Sequence, residues 1–282
     1  MRICRPAGIL AGFAFALVLA APKAVADQSA ATSPIPDPAN DPYANATLWT
    51  LIGDYAHIFD SALGGADFYG LTGTVKVPLD SDLALHFEGG YHHVTFANGN
   101  ANDFTAGGSL VLERQDWHFG PQFGFQASDG SNLTANTFNY GGFAQFYTHL
   151  NMAISGWAGG FHTDFYKWNG FYVGGDAEWY PAPDFAITPE INFVDSPGRP
   201  FPFREADYIQ AFEWRPISDR QVSIYAAYAY TTFSTRDHAN TIYIALKFYN
   251  GAGDNGSSAP LLLQRYEAID VSPIVTGLAF KY

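Results

Sequence analysis

The sequence predicts an all-β fold: a transmembrane antiparallel up-and-down β-barrel of about twelve strands, with fourteen as the alternative count. Three observations lead there. Charged residues make up 15% of the chain, against ~25% in ordinary soluble proteins, while aromatic residues reach 17% and hydrophobic residues 48%. Beyond the N-terminal segment, no window reaches the length of a membrane-spanning helix. A chain that meets lipid without helices must satisfy its backbone between strands, and only a closed barrel leaves no edge in hydrocarbon. Third, from residue 47 onward the chain divides into segments of about ten residues that alternate in polarity and are separated by turn residues.

The N-terminal segment has its own pattern. Arg2 and Arg5 form a basic n-region, Ile9 to Ala20 an apolar h-region, and Ala24-Val25-Ala26 an A-x-A cleavage site. Residues 1–26 therefore read as a secretory signal peptide, with the mature chain expected to start near Asp27. The apolar run falls short of the ~20 residues of a spanning helix. The single cysteine, Cys4, lies inside this segment, so the mature chain is expected to carry no disulfide and no Cys-ligated metal. The formal net charge is −13, and loss of Arg2, Arg5 and Lys23 makes it more negative still. Such a balance excludes nucleic acid as a partner. Residues 27–46, rich in Pro, Ala, Asp and Asn, read as a flexible periplasmic lead.

The strands follow. Over 69–77, Tyr69, Leu71, Gly73, Val75 and Val77 share one face, opposite Gly70, Thr72, Thr74 and Lys76. Over 83–94, Leu83, Leu85, Phe87, Gly89 and Tyr91 oppose Ala84, His86, Glu88 and His92. Over 117–126, Trp117, Phe119, Pro121, Phe123 and Phe125 oppose His118, Gly120, Gln122, Gly124 and Gln126. The same holds at 171–180 (Phe171, Val173 and Trp179 against Tyr172, Asp176 and Glu178), at 185–194 (Phe185, Ile187 and Ile191 against Thr188 and Glu190) and at 242–248. Side chains alternate across a strand, so each segment has one lipid-compatible face and one wet or packed face. Weaker segments at 47–58, 104–113, 137–147, 152–162, 206–215 and 221–233 follow the same rule.

Connections alternate too. Short turns are expected at 78–82, 114–116, 148–151, 181–184 and 216–220, with longer loops at 59–66, 97–103, 127–136, 163–169, 195–205 and 234–238. Short periplasmic turns and longer external loops are the habit of outer-membrane barrels. Parity then makes 47–58 the first strand and 239–249 the last, giving a barrel over 47–249 and a periplasmic tail over 250–282. In the competing scheme the alternating C-terminus, Ile274 to Tyr282, is the closing strand and 47–58 is not a strand, or the count is fourteen. Aromatic residues beside the short turns (Trp117, Tyr147, Trp179, Tyr180, Phe185 and Trp214) suggest an interfacial girdle. Mid-strand glycine pairs at 89–90, 107–108, 141–142, 159–160 and 174–175 suggest bending of a closed sheet.

With its Ala24-Val25-Ala26 site, Gly-rich strands such as HFEGGYHHVTF and FYVGGDAEWY, PAPD turn and TIYIALKFY strand, the chain resembles the porin-like outer-membrane β-barrel proteins of Gram-negative bacteria. The likeness is one of architecture over 47–249. It implies export and outer-membrane location, contact with lipid and lipopolysaccharide, insertion by the barrel-assembly machinery, and passive transport. It supplies no catalytic residues.

The wet faces carry the candidate lumen residues: Lys76, His86, Glu88, His92, Glu113, His118, Gln122, Asp176, Glu178, Glu190, Glu213 and Lys247. They are mostly acidic, and acidic rings favour cations in a pore. The expected function is a porin-like passive channel for small polar solutes or cations. A non-conducting structural or surface-interaction barrel is the alternative, and a lipid-modifying barrel enzyme is the third. His86, Glu88 and His92 share a face, with His118 expected two strands away, but adjacent His92 and His93 point to opposite faces and cannot both ligate one metal. No G-x-S-x-G or H-x-S motif is present; Asp176 and Glu178 share a strand face, with Glu190 expected near them on the adjacent strand, and such a carboxylate pair could do acid–base work, though lumen electrostatics explains it more cheaply. No catalytic residue, cofactor or metal is assigned. The N-x-S/T triplets at Asn45, Asn132 and Asn255 are read as chance.

Overall fold

The computed structural model describes residues 47–60, 65–96, 99–114, 116–130, 134–148, 152–164, 167–182, 184–197, 202–217, 221–234 and 238–250. They form twelve strands: β1 (Leu48–Asp60), β2 (Ala66–Asp80), β3 (Leu83–Phe96), β4 (Gly99–Arg114), β5 (Trp117–Gly130), β6 (Thr134–Thr148), β7 (Met152–Thr163), β8 (Trp168–Ala182), β9 (Phe185–Ser196), β10 (Phe203–Trp214), β11 (Val222–Phe233) and β12 (His238–Asn250). Each pairs antiparallel with its sequence neighbours, and β12 pairs with β1 to close the barrel. Segment 47–58 is therefore a strand, and the count is twelve. Both edges of β1 are taken, by β2 and by β12, which leaves no place for a further closing strand. The segments 1–26, 27–46 and 251–282, including 274–282, lie outside the described residues.

The register carries the two-faced pattern around the wall. Trp49 pairs with Val75, Val75 with Phe87, Phe87 with Gly108 and Gly108 with Phe123. The adjacent row runs Thr50, Thr74, Glu88, Gly107 and Gly124. The first row faces out: Trp49 is 42% exposed and Phe123 60%. The second faces in, with Thr50, Thr74 and Glu88 all buried. Because the side-chain period is two, one register fixes the facing of every strand.

The outer surface is apolar over a band bounded by polar residues. Along β9 it presents Phe185, Ile187, Pro189, Ile191 and Phe193 before Asp195; along β5, Trp117 to Phe125 before Asp129. At the same rim as Asp129 and Asp195 lie outward Asp67, His93, Asn102, Asn136, His162, Asn169, Arg204 and Asn240. Outward tryptophans mark the opposite rim: Trp49, Trp117, Trp179 and Trp214 are each 42–52% exposed. This is the aromatic belt of a membrane barrel. Tyr147 and Tyr180, expected in that belt, point inward and are buried; each sits one residue out of phase with its lipid-facing neighbours Phe146 and Trp179.

Loop lengths depart from expectation. The links are 81–82, 115–116, 149–151, 183–184 and 215–221 at the tryptophan rim, and 61–65, 97–98, 131–133, 164–167, 197–202 and 234–237 at the other. Most of the expected long loops are strand: Ala101 and Asp103 belong to β4, and Ala127 and Ser128 to β5. Polar residues such as Asn100, Asn102 and Asp129 carry turn-like composition but continue the ladder where the strands rise beyond the apolar band.

Inward glycines serve as seats for rings. Tyr172, Gly159, Gly141 and Gln122 form one lateral row across β8, β7, β6 and β5. A Cβ on Gly141 would lie 2.6 Å from the Tyr172 hydroxyl, and one on Gly159 2.5 Å from it. Gln122 Nε2 donates to that hydroxyl at 3.2 Å. Trp157 crosses Gly174 in the same way, and its Nε1 donates to Asn192 Oδ1 at 3.1 Å. Outward Gly53, by contrast, has nothing within 4 Å of a would-be Cβ.

Candidate functional site

The site is the inner face. The strand register places every candidate inward: Lys76 on β2; His86, Glu88 and His92 on β3; Glu113 on β4; His118 and Gln122 on β5; Asp176 and Glu178 on β8; Glu190 on β9; Glu213 on β10; Lys247 on β12. The same faces also carry Asp54, Asp103, Glu205, Asp207 and Arg215, which the sequence reading passed over. Asp54 was legible, since it alternates with Trp49, Leu51 and Tyr55. Asp207 shares its parity with Glu213. Asp103 and Glu205 were hidden in stretches read as loops.

Inward cations gather at the tryptophan rim, each beside a carboxylate. Lys76 Nζ is 2.7 Å from Glu113 Oε1, and His86 Nε2 is 3.9 Å from the same oxygen. Lys247 Nζ donates to Glu213 Oε2 at 2.9 Å and lies 4.7 Å from the centre of the Tyr225 ring. Arg215 donates from Nε to Asp184 Oδ1 at 2.7 Å. Glu213 also accepts from the Ser223 and Tyr249 hydroxyls, so both its oxygens are engaged. In low-dielectric surroundings the Lys247–Glu213 pair holds because the carboxylate's other lone pairs are also hydrogen-bonded.

The remaining inward acids lie higher on the wall. Asp176 and Glu190 are cross-strand partners, and Asn192 Nδ2 donates to Glu190 Oε1 at 2.5 Å. The Thr231 hydroxyl donates to Asp207 Oδ1 at 2.6 Å. Asp54 Oδ2 lies 3.1 Å from His92 Nε2 and accepts from the Tyr243 hydroxyl at 3.1 Å. His92 reaches Asp54 by lying across Gly70 on the intervening strand.

The candidate histidines are thus drawn to different partners. His86 sits with Lys76 and Glu113, His92 with Asp54, and His118 with Tyr147, whose hydroxyl is 3.1 Å from its Nδ1. His93 faces outward, 2.7 Å from Asn102 Oδ1. Among the described residues no group of three metal-ligating side chains is formed.

The inner face divides into two sectors. On β2–β7 nearly every inward side chain is buried, from Thr72, Lys76 and His86 to Gln122, Asn139, Ser155 and Phe161. An apolar cluster of Val111, Phe143, Trp157, Phe161, Trp168, Tyr172, Val194 and Phe203 fills one side of the interior. On β8–β12, mid-strand inward positions such as Asp176, Glu178, Thr188, Glu190, Asp207, Ala227, Ala229 and Thr241 are half-buried, while Asn192 and Ala211 are buried.

A closed twelve-strand wall, an apolar outer band, an aromatic rim and a polar, charged interior define the fold of outer-membrane porin-type β-barrels. An outer-membrane channel from Pseudomonas putida F1 is similar at a TM-score of 0.54 and 7% identity, over 73% of this chain and 96% of that one. The KdgM porin is similar at 0.47 and 12% identity, over 70% of this chain and 98% of that one. No family model matches the chain, and no curated relative does.

Proposed function

We propose that this protein is exported by its N-terminal signal peptide, cleaved near Ala26, inserted into the outer membrane of a Gram-negative bacterium by the barrel-assembly machinery, and acts there as a passive channel for small polar solutes or cations. One observation carries the reading. Inward carboxylates (Asp54, Glu88, Asp103, Glu113, Asp176, Glu178, Glu190, Glu205, Asp207 and Glu213) far outnumber inward Lys76, Arg215 and Lys247 among the described residues. An acidic lumen raises the local cation concentration and lowers that of anions. In this reading residues 27–46 and 251–282 are periplasmic, since both chain ends of the barrel leave from the tryptophan rim.

The test is single-channel conductance of the refolded mature protein in a planar bilayer under a salt gradient. A steady conductance with a cation-leaning reversal potential is expected. No conductance from protein shown to be β-folded overturns the channel reading and favours a non-conducting barrel, for which the packed β2–β7 sector is the supporting observation. No catalytic role is assigned. Turnover of outer-membrane lipid that disappears in Glu178→Gln would be the result that reopens an enzymatic reading.

A further inference from the structure

We infer that solutes cross this barrel along an eccentric path against the inner wall of β8–β12, and that Lys247, clamped to Glu213, sets charge selectivity where the path meets the tryptophan rim. The inference rests on the channel reading and adds its route and its selecting residue.

The route follows from side-chain size and burial. Strands β6–β8 turn Phe143, Tyr147, Trp157, Phe161, Trp168 and Tyr172 inward, all of them buried. Rings lie along the wall over Gly141, Gly159, Gly170 and Gly174, and Trp168, Phe161 and Tyr172 are almost wholly buried. Inward positions of β11 are instead Ser223, Tyr225, Ala227, Ala229 and Thr231, and those of β12 are Ala239, Thr241, Tyr243, Ala245, Lys247 and Tyr249. The alanines and threonines at mid-height here, against the rings on β6–β8, displace the free cross-section from the axis. Half-buried inward side chains run the length of β8–β12, from Asp176, Glu190 and Asp207 to Ala227, Ala229 and Thr241, whereas on β2–β7 they are few, chiefly His92, Thr105, Glu113 and Gln145.

The selecting residue follows from where the cations sit. Lys76 and Arg215 are each 2% exposed at the side chain, whereas Lys247 is 13% exposed. Lys247 therefore faces the path, and the other two do not. A cation drawn along Asp207, Glu190, Asp176 and Glu178 meets this ammonium last. One unit charge about 4 Å from an ion in water-like surroundings changes its local concentration roughly fivefold. Lys247 thus opposes the bias that the carboxylates create. Tyr225 beneath it and Glu213 beside it fix the ammonium in place.

The experiment uses the full mature chain, with Cys4 absent or replaced by Ser, in a planar bilayer. Ala227→Cys and Thr241→Cys are compared with Ser109→Cys and Ser155→Cys during exposure to a cationic methanethiosulfonate. Conductance is expected to fall in the first two and to hold in the second two. Block confined to the Ser109 and Ser155 variants overturns the eccentric route while the channel reading stands. In a separate arm, Lys247→Gln is expected to raise the cation-over-anion permeability ratio by up to roughly twenty-five-fold, about fivefold from each ion. An unchanged ratio overturns the role of Lys247. Ala229→Cys and Lys247→Met stand in for any variant that fails to give a β-folded, heat-modifiable protein. Absence of conductance in the parent protein itself is the separate failure of the channel reading.

Discussion

Asp54 shows how much can rest on one side chain in a barrel interior. Its Oδ2 joins His92 of β3 and Tyr243 of β12, so a single carboxylate spans the β12–β1–β2–β3 seam where the chain closes on itself. The side chain is 3% exposed. Asp54→Ala would remove the buried carboxylate that the half-buried His92 imidazole and Tyr243 phenol share, at a cost of about 1–3 kcal/mol. The expected outcome is a lower urea midpoint for unfolding from lipid vesicles, with the β-signal of the folded state unchanged. A midpoint equal to that of the parent would mean that water replaces the carboxylate there. The inward glycines make a second residue-level case. Gly141→Val places methyl groups where the Tyr172 ring lies and is expected to cost about 1–3 kcal/mol by the same assay. Gly53→Ala, facing open space, should stay within about 0.5 kcal/mol of the parent. Equal effects of the two would show that mid-strand glycines serve sheet curvature alone.

At the level of the strand, alternation was the legible signal, and it was legible because lipid and lumen impose opposite chemistry on successive residues. Ile244 is 52% exposed near the middle of the outer face of β12, and Phe248 is 40% exposed toward the tryptophan rim. Ile244→Arg should destabilise the barrel by about 2–4 kcal/mol, and Phe248→Arg by about 0–1 kcal/mol. Similar losses for both would place the membrane differently on the barrel from the band drawn by the tryptophans. Strand ends were less legible than strand centres. Asn100, Asn102 and Asp103 read as loop, yet they pair in β4, because the ladder continues past the apolar band and needs no hydrophobic face there. The same misreading hid Asp103 and Glu205 from the candidate lumen residues. Tyr147 and Tyr180 show the converse error: proximity to a turn suggested a belt, while their parity sends them inward.

For the whole molecule, closure is the decisive fact. β12 pairs with β1 from Trp49↔Asn250 to Asp60↔Ala239, so the wall is complete without residues 251–282. A chain ending at Asn250 is therefore expected to refold in detergent to a heat-modifiable barrel with the same β-signal as the full mature chain. Failure to refold would assign the tail a part in the barrel. Closure also turns a strip of two-faced strands into an inside and an outside, and so sets the acidic interior on which the channel reading depends.

The sequence by itself determined the class of fold, the two-faced strands and most of the inward charges, because polarity alternation is a local property that each strand displays alone. It left open the strand count and the pairing of the charges. Tertiary structure decided that Lys76 meets Glu113, that Lys247 meets Glu213, and that Asp54 on the first strand meets Tyr243 on the last. Those meetings depend on lateral register and on which strand closes the wall. Which sector of the interior fills and which admits water was also decided there, because it depends on how rings from one strand lie over glycines of the next.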